Sequence, residues 1–144
     1  MAQQILSADN VLLNVHAAAK EEAIKIAGNL LVEQGYVEAS YIDKMMEREE
    51  LTSTYMGNFV AIPHGTEDAK KSVKTSGLSI VQIPDGVDFG GGIVKLVIGI
   101  AGKDGEHLEI LSKIALVCAD EDKVNQIINA TSKSELLSFF EEVN

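Results

Sequence analysis

Residues Ile93–Ala101 read IVKLVIGIA, a run in which only Lys95 is charged. A strand with one wet face alternates apolar and polar residues. An unbroken apolar run this short fits a strand covered on both faces instead. It is far below the ~20 residues a membrane-spanning helix needs. The rest of the chain therefore has to supply cover above and below such a strand.

That cover is visible on either side. The segment AAAKEEAIKIAGNLLVEQG (17–35) sets Ala23, Ile26, Ala27, Leu30 and Leu31 on one helical face, with Gly35 suited to stop it. Residues 38–50 predict a second helix with Ile42, Met45 and Met46 on its apolar side. Downstream, EHLEILSKIALVCADE (106–121) aligns Leu111, Ile114, Ala115 and Cys118. Two shorter helices follow near 123–129 and 134–142, the latter capped by Ser132 or Ser134. Further strands are expected at 11–15, 58–62 and 77–83, with PDG (84–86) and GGG (90–92) as turns between strands. Alternating helices and strands, with the strands gathered in the middle, predict an α/β sandwich. It should hold a mixed sheet of about five strands flanked by helices on both faces. No repeat or Pro/Ser-rich linker interrupts the chain, so residues 1–144 read as one domain.

Composition narrows the chemistry. A formal charge of -10 and a pI near 4.6 exclude the basic footprint of a nucleic-acid binder and argue against docking on anionic lipid. Any anion bound here needs a local positive arrangement. A lone cysteine, Cys118, rules out an intramolecular disulfide and a four-cysteine zinc site, and it reads as an inert core residue. The N-terminus MAQQILSADN lacks a basic segment leading into an apolar one, so no signal peptide is expected and the chain reads as cytoplasmic and soluble.

Three residues stand out. His64 lies in NFVAIPHGT (58–66), where Pro63 fixes its own φ and pushes Ile62 to extended backbone. Gly65 leaves the other flank open to an approaching molecule. Two readings stand at this level: a turn histidine bonded to a carbonyl, or an imidazole presented to a partner. His107 follows IVKLVIGIA and the turn GKDG (102–105), in the first turn of a helix that Asp104 can cap. Its spacing to Leu111, Ile114 and Cys118 turns it inward, at a strand end where open α/β sheets bind ligands. A boundary histidine satisfied by backbone is the alternative. Arg48 is the only arginine among twelve basic residues. Its i±3 and i±4 neighbours, Lys44, Met45, Leu51 and Thr52, offer no carboxylate, while the adjacent Glu47 and Glu49 do not face it. It is either simply solvated or an oxyanion ligand, for which its planar fork is suited. His16, in NVHAAAK (14–20), has no such setting and reads as a surface or capping residue.

No HxH or HxxxH pair, phosphate loop or GxSxG is present, so no metal, nucleotide cofactor or hydrolase triad is expected. Two histidines and an arginine on an acidic chain suit phosphorylation of an imidazole, which is a good nucleophile near pH 7.

The same residues carry a resemblance. MEREELTSTYMGNFVAIPHGT (46–66), extended through residues 20–70 and 84–115, is similar to the enzyme IIA components of the bacterial phosphoenolpyruvate-dependent sugar phosphotransferase system, mannitol/fructose group. The TSTY and PHGT pieces resemble the mannitol branch. The resemblance implies that His64 accepts a phosphoryl group on Nε2 from the phosphocarrier HPr and passes it to a cysteine of a mannitol-specific enzyme IIB. His107 and Arg48 would flank the phosphoryl group. It implies no cofactor, and it implies that Cys118 is not the phosphocysteine. Some members carry an acidic residue where this chain has Asn58, so no role is transferred there. The competing expectation is a regulatory module of the same fold, of fructose or nitrogen-regulatory type, that reports phosphorylation state. Because transfer needs an exposed His64 face, a monomer or weak oligomer is expected.

Overall fold

The computed structural model describes residues 5–103 and 105–143. Strand β5 (Ile93–Ala101) is the middle strand of a mixed sheet ordered β1-β4-β5-β3-β2. It runs antiparallel to β4 (Gly77–Asp88) and parallel to β3 (Val60–Ala61). The edges are β1 (Val11–Leu12), parallel to β4, and β2 (Tyr55–Gly57), antiparallel to β3.

From Leu96 onward consecutive side chains of β5 enter opposite cores, which is why that part of the strand is apolar. Val97 and Ala101 join Ala61, Val81 and Ile83 beneath α1 (Lys20–Glu33) and α2 (Ser40–Leu51). Leu96, Ile98 and Ile100 join Val60, Leu78 and Ile80 beneath α3 (Glu106–Cys118), α4 (Glu121–Ile128) and α5 (Lys133–Leu137), which a 3₁₀ turn extends over Ser138–Val143. The expected sandwich of about five strands between two helical layers is the observed architecture. Ser132, not Ser134, caps α5 by accepting from the Glu135 N–H. The proposed Asp104 cap lies outside the described residues. No helix among the described residues is long and apolar enough to cross a membrane.

Several local readings need correction. The helical faces are rotated slightly: Ile24 is buried and Ile26 only half-buried in α1, while Tyr41 and Met45 are the buried residues of α2's apolar side, with Ile42 and Met46 at its flanks. In α3, Ile110 is buried and Ala115 is exposed. PDG (84–86) is not a turn between strands but part of β4. Gln82 faces Leu96 and Val87 faces Val94, so residues 83–86 bulge opposite Lys95 alone. Pro84 has no N–H to give a ladder and is tolerated in a bulge. The reversal comes later, where Phe89 N–H bonds Gly92 C=O.

The strand expected at 58–62 is a hairpin. Asn58 (φ 51°) and Phe59 (φ 67°) form a two-residue turn joining β2 to β3, the positive-φ geometry that matches strand twist. The first strand is likewise short. It ends before Asn14, whose φ is 56°.

Candidate active site

β3 and β5 are parallel, and their carboxyl ends open together between the two helical layers. Beyond Ala61 the chain stays beside β5: Ile100 N–H donates to Pro63 C=O, and His64 bridges Ile100 in parallel register. A cleft of about 520 Å³ opens there. α2 lines it with Tyr41, Arg48 and Leu51, the PHG segment with His64 and Gly65, and the start of α3 with His107 and Leu108. The structure thus brings together all three residues singled out from sequence.

His64 is half-buried and its Nδ1 lies 2.9 Å from the Ile62 carbonyl. A carbonyl oxygen can only accept, so Nδ1 carries the hydrogen and the neutral ring keeps its lone pair on Nε2. Burial lowers the imidazole's pKa and the nearby Arg48 charge lowers it further, against the Ile62 hydrogen bond and the Glu49 charge, which raise it. The net direction is downward, so the ring is neutral and nucleophilic at neutral pH. The bland reading of His64, a turn residue bonded to a carbonyl, is correct about the bond. That bond is also what frees Nε2.

His107 stands 4.9 Å from His64, ring centre to ring centre, with the planes tilted by 55°. Its approach depends on Gly102: a Cβ there would lie 2.4 Å from His107 Cα, closer than backbone allows. Arg48 comes from the last turn of α2, and its Nη1 donates to Thr52 C=O at 2.7 Å. That bond holds one nitrogen of the guanidinium at the helix end, within electrostatic reach of His64. His16 is elsewhere, on the surface beside Asp85 at 2.8 Å. Cys118 is buried and its thiol is pushed up to about 12 by burial, which removes it from nucleophilic chemistry near neutral pH.

Two site residues were not found from sequence. Tyr41, 3% exposed, accepts from Gly65 N–H at 2.9 Å and donates to Ile100 C=O at 2.8 Å. Its hydroxyl stands where the parallel ladder would join Gly65 to Ile100. The ring also explains Gly65, because a Cβ there would lie 2.6 Å from Tyr41 Cε1. The glycine is required by the protein's own tyrosine and not, as the sequence suggested, by an incoming molecule alone. The second is Glu49, 5% exposed, whose carboxylate accepts from Ser53 Oγ, Thr54 Oγ1 and Thr54 N–H at 2.7–2.8 Å. Glutamate near a helix end followed by Ser-Thr was the available signal. Asn58, at the position where some relatives were expected to be acidic, donates to Cys118 C=O at 3.1 Å and so ties the β2–β3 hairpin to the end of α3.

Among the described residues no group of three or more His, Cys, Asp or Glu side chains is placed to hold a metal ion. The arrangement offers a neutral nucleophilic nitrogen, a second imidazole and a fixed guanidinium around one cleft. That set can attack and then cradle a small dianionic group.

Comparison with known proteins places the chain in a family. A protein of Geobacillus stearothermophilus called mannitol-specific phosphotransferase enzyme IIA component is 63% identical over 145 residues, covering 100% of both chains. The crystal structure of IIA mannitol from Escherichia coli superposes with a TM-score of 0.88 at 42% identity, over 93% of this chain and 97% of that one. The Escherichia coli complex of enzyme IIA-mannitol with phosphorylated enzyme IIB-mannitol gives 0.89 at 39% identity, over 95% and 97%. Residues 4–143 match the family described as phosphoenolpyruvate-dependent sugar phosphotransferase system, EIIA 2, and the chain belongs to that family.

Proposed function

We propose that this protein is the mannitol-specific enzyme IIA of its phosphotransferase system, a cytoplasmic phosphoryl carrier acting between HPr and enzyme IIB. The observation that carries the reading is the tethered His64 imidazole, hydrogen on Nδ1 and lone pair on Nε2, facing His107 across 4.9 Å in the cleft that Arg48 lines.

In the accepting step, the Nε2 lone pair attacks phosphorus of the HPr phosphohistidine. The donor's P–N bond breaks, and its electron pair returns to the donor imidazole. In the donating step a cysteine thiolate of IIB attacks the same phosphorus, and the pair of the His64 P–N bond returns to Nε2. Neither step needs a proton moved at Nε2, provided it begins unprotonated. Such transfers are governed by positioning and by charge stabilisation of the equatorial oxygens. Arg48 supplies a cation that cannot donate its proton away at neutral pH, and His107 supplies a second polar face. Leu51 and Leu108 are 73% and 72% exposed on opposite lips of the cleft. Apolar rims of this kind suit a protein partner that covers the cleft and excludes water during transfer. A monomer or weak oligomer keeps that rim accessible.

Intact-protein mass spectrometry after incubation with phosphoenolpyruvate, enzyme I and HPr tests the first step. One acid-labile phosphoryl group is expected on the wild type and none on His64→Ala. Adding mannitol-specific enzyme IIB should then discharge the phosphoprotein. Clean phosphorylation without discharge to that IIB would replace transport by regulation as the reading. No added mass on folded protein would end the carrier reading altogether.

A further inference from the structure

Glu49 carries a buried carboxylate that the transfer chemistry above does not use. It sits one residue from Arg48, yet its partners all lie ahead of it, in the turn that follows α2. Oε2 accepts from the Thr54 N–H at 2.8 Å and the Thr54 hydroxyl at 2.7 Å, and Oε1 accepts from the Ser53 hydroxyl at 2.8 Å. From this clasp two chains of hydrogen bonds lead to the cleft. Along the first, Ile62 N–H donates to Thr54 C=O at 3.0 Å, and His64 Nδ1–H donates to Ile62 C=O at 2.9 Å. The second passes through the same turn. Thr52, next to Ser53, accepts Arg48 Nη1 on its carbonyl at 2.7 Å and donates its own N–H to Arg48 C=O at 3.3 Å.

We propose that Glu49 is a positioning residue for phosphoryl transfer: by holding the Thr52–Ser53–Thr54 turn it fixes both the His64 tautomer and the Arg48 guanidinium. The inference rests on the carrier reading for the word transfer, though not for the geometry. In the first chain the effect is positional. The carboxylate pins Thr54 through its N–H and hydroxyl, which holds the Thr54 carbonyl where Ile62 N–H meets it and so holds the Ile62 carbonyl where His64 Nδ1–H meets it. An acceptor held against Nδ1–H favours the tautomer that leaves Nε2 bare. In the second chain the effect is steric. If the turn loosens, the Thr52 carbonyl moves and the guanidinium loses its anchor. Because one carboxylate supports both arms, a change at Glu49 should degrade nucleophile and cation together.

The experiment uses two variants of the full chain. Glu49→Gln keeps the shape: its oxygen can serve both Thr54 donors and its NH₂ can donate to Ser53 Oγ, so only the charge is lost. Glu49→Ala removes the clasp. Each is assayed with HPr, phosphorylated by enzyme I and phosphoenolpyruvate, as donor, and the His64 ring nitrogens are read by ¹⁵N NMR. Misplacement of a reacting group by about an ångström can cost on the order of 100-fold, so kcat is expected to fall about 30-fold in Glu49→Ala and about 3-fold in Glu49→Gln. KM for phospho-HPr should stay within about 2-fold, since the exposed rim is untouched. His64 should leave the pure Nδ1–H tautomer for a mixture in Glu49→Ala, a change that a purely structural role would not produce in folded protein. Unchanged kcat in folded Glu49→Ala, or a loss confined to KM, would overturn the proposal. If the alanine variant does not fold, wild-type kcat in Glu49→Gln overturns it. Should the wild type itself accept no phosphoryl group, the carrier reading fails, and the tautomer measurement still decides whether Glu49 orients His64.

Discussion

The two walls of the cleft are built differently. On the α2 wall every polar group near His64 has a bonded anchor. Tyr41 joins Gly65 to Ile100, Glu49 clasps Ser53 and Thr54, and Arg48 is tied to Thr52. On the α3 wall, two glycines decide how near His107 comes. Gly105 takes φ 91° at the N-cap and has no side chain to bond the first-turn N–H groups, while Gly102 lets the helix start come close. Where such bonds are buried, as at Tyr41 and Glu49, the wall resists displacement, because each broken bond leaves an orphaned polar group. A wall set by glycines is shaped by what is absent. The nucleophile and the cation occupy the first kind of wall, as in-line attack demands. The second imidazole occupies the wall whose approach Gly102 permits.

The largest effect expected from this contrast is at Arg48. Arg48→Gln keeps a polar side chain but loses the charge that balances the transferring dianion, so phosphoryl acceptance from HPr should slow about 100-fold, the range seen when one transition-state donor is removed. His107→Ala, on the facing wall, should slow it about 10-fold, on the same scale of charge and hydrogen-bond stabilisation. Both should melt close to wild type, since each side chain is only half-buried. Stopped-flow or quench-flow transfer rates check this, and a larger loss at His107 than at Arg48 would reverse the ranking of the walls.

Next in size are the two substitutions that touch the supports. Gly102→Ala puts a Cβ against His107 Cα, and backbone cannot swing aside as a side chain would. The start of α3 has to shift, at a cost of about 1–3 kcal/mol for a forced overlap. Tyr41→Phe keeps the ring against Gly65 but leaves that N–H and the Ile100 carbonyl without their shared partner. The cost is about 1–3 kcal/mol for buried groups, of which the Ile100 carbonyl is the deeper. Denaturant unfolding measures both. The informative readout is the 4.9 Å ring pair: Gly102→Ala should separate His107 from an unmoved His64, and Tyr41→Phe should do the reverse.

What the sequence disclosed, and what it did not, divides along local and distant causes. IVKLVIGIA announces its two-sided burial because apolarity on consecutive residues is a local fact. PHG announces His64 because proline and glycine constrain their immediate neighbours. Arg48 stood out through the absence of a carboxylate at helical spacing, which is again local. Tyr41 did not, because its two partners are 24 and 59 residues away and nothing near it predicts which residues the sheet brings to its hydroxyl. Helical spacing shows Glu49 only as a neighbour that does not face Arg48, and its partners lie just beyond the helix end. PDG misled because the same dipeptide chemistry serves a turn and a bulge, and only the pairing with Leu96 and Val94 tells them apart.

The smallest effect expected is in pH dependence, and it isolates Arg48's influence on the fixed wall. The His64 pKa is lowered, first by burial and then by Arg48, while the Ile62 bond and Glu49 oppose. Its unfolded counterpart titrates at about 6.5. As pH falls through that value the unfolded chain takes up a proton that the folded chain still refuses, so the unfolded state binds more protons and stability declines. The contribution is present above about pH 6.5 and is lost toward the lower folded pKa. His64→Ala should therefore flatten the stability profile between neutral and mildly acidic pH, compared with wild type. Arg48→Gln removes a cation that depresses the pKa, so His64 should titrate at higher pH, and the acid limb of the transfer profile should move up with it. An NMR titration of the His64 ring in that variant measures the direction. Were the pKa to stay put, Arg48 would act on the phosphoryl group alone and not on the waiting nucleophile. Burial and the Ile62 tether would then suffice to keep Nε2 bare.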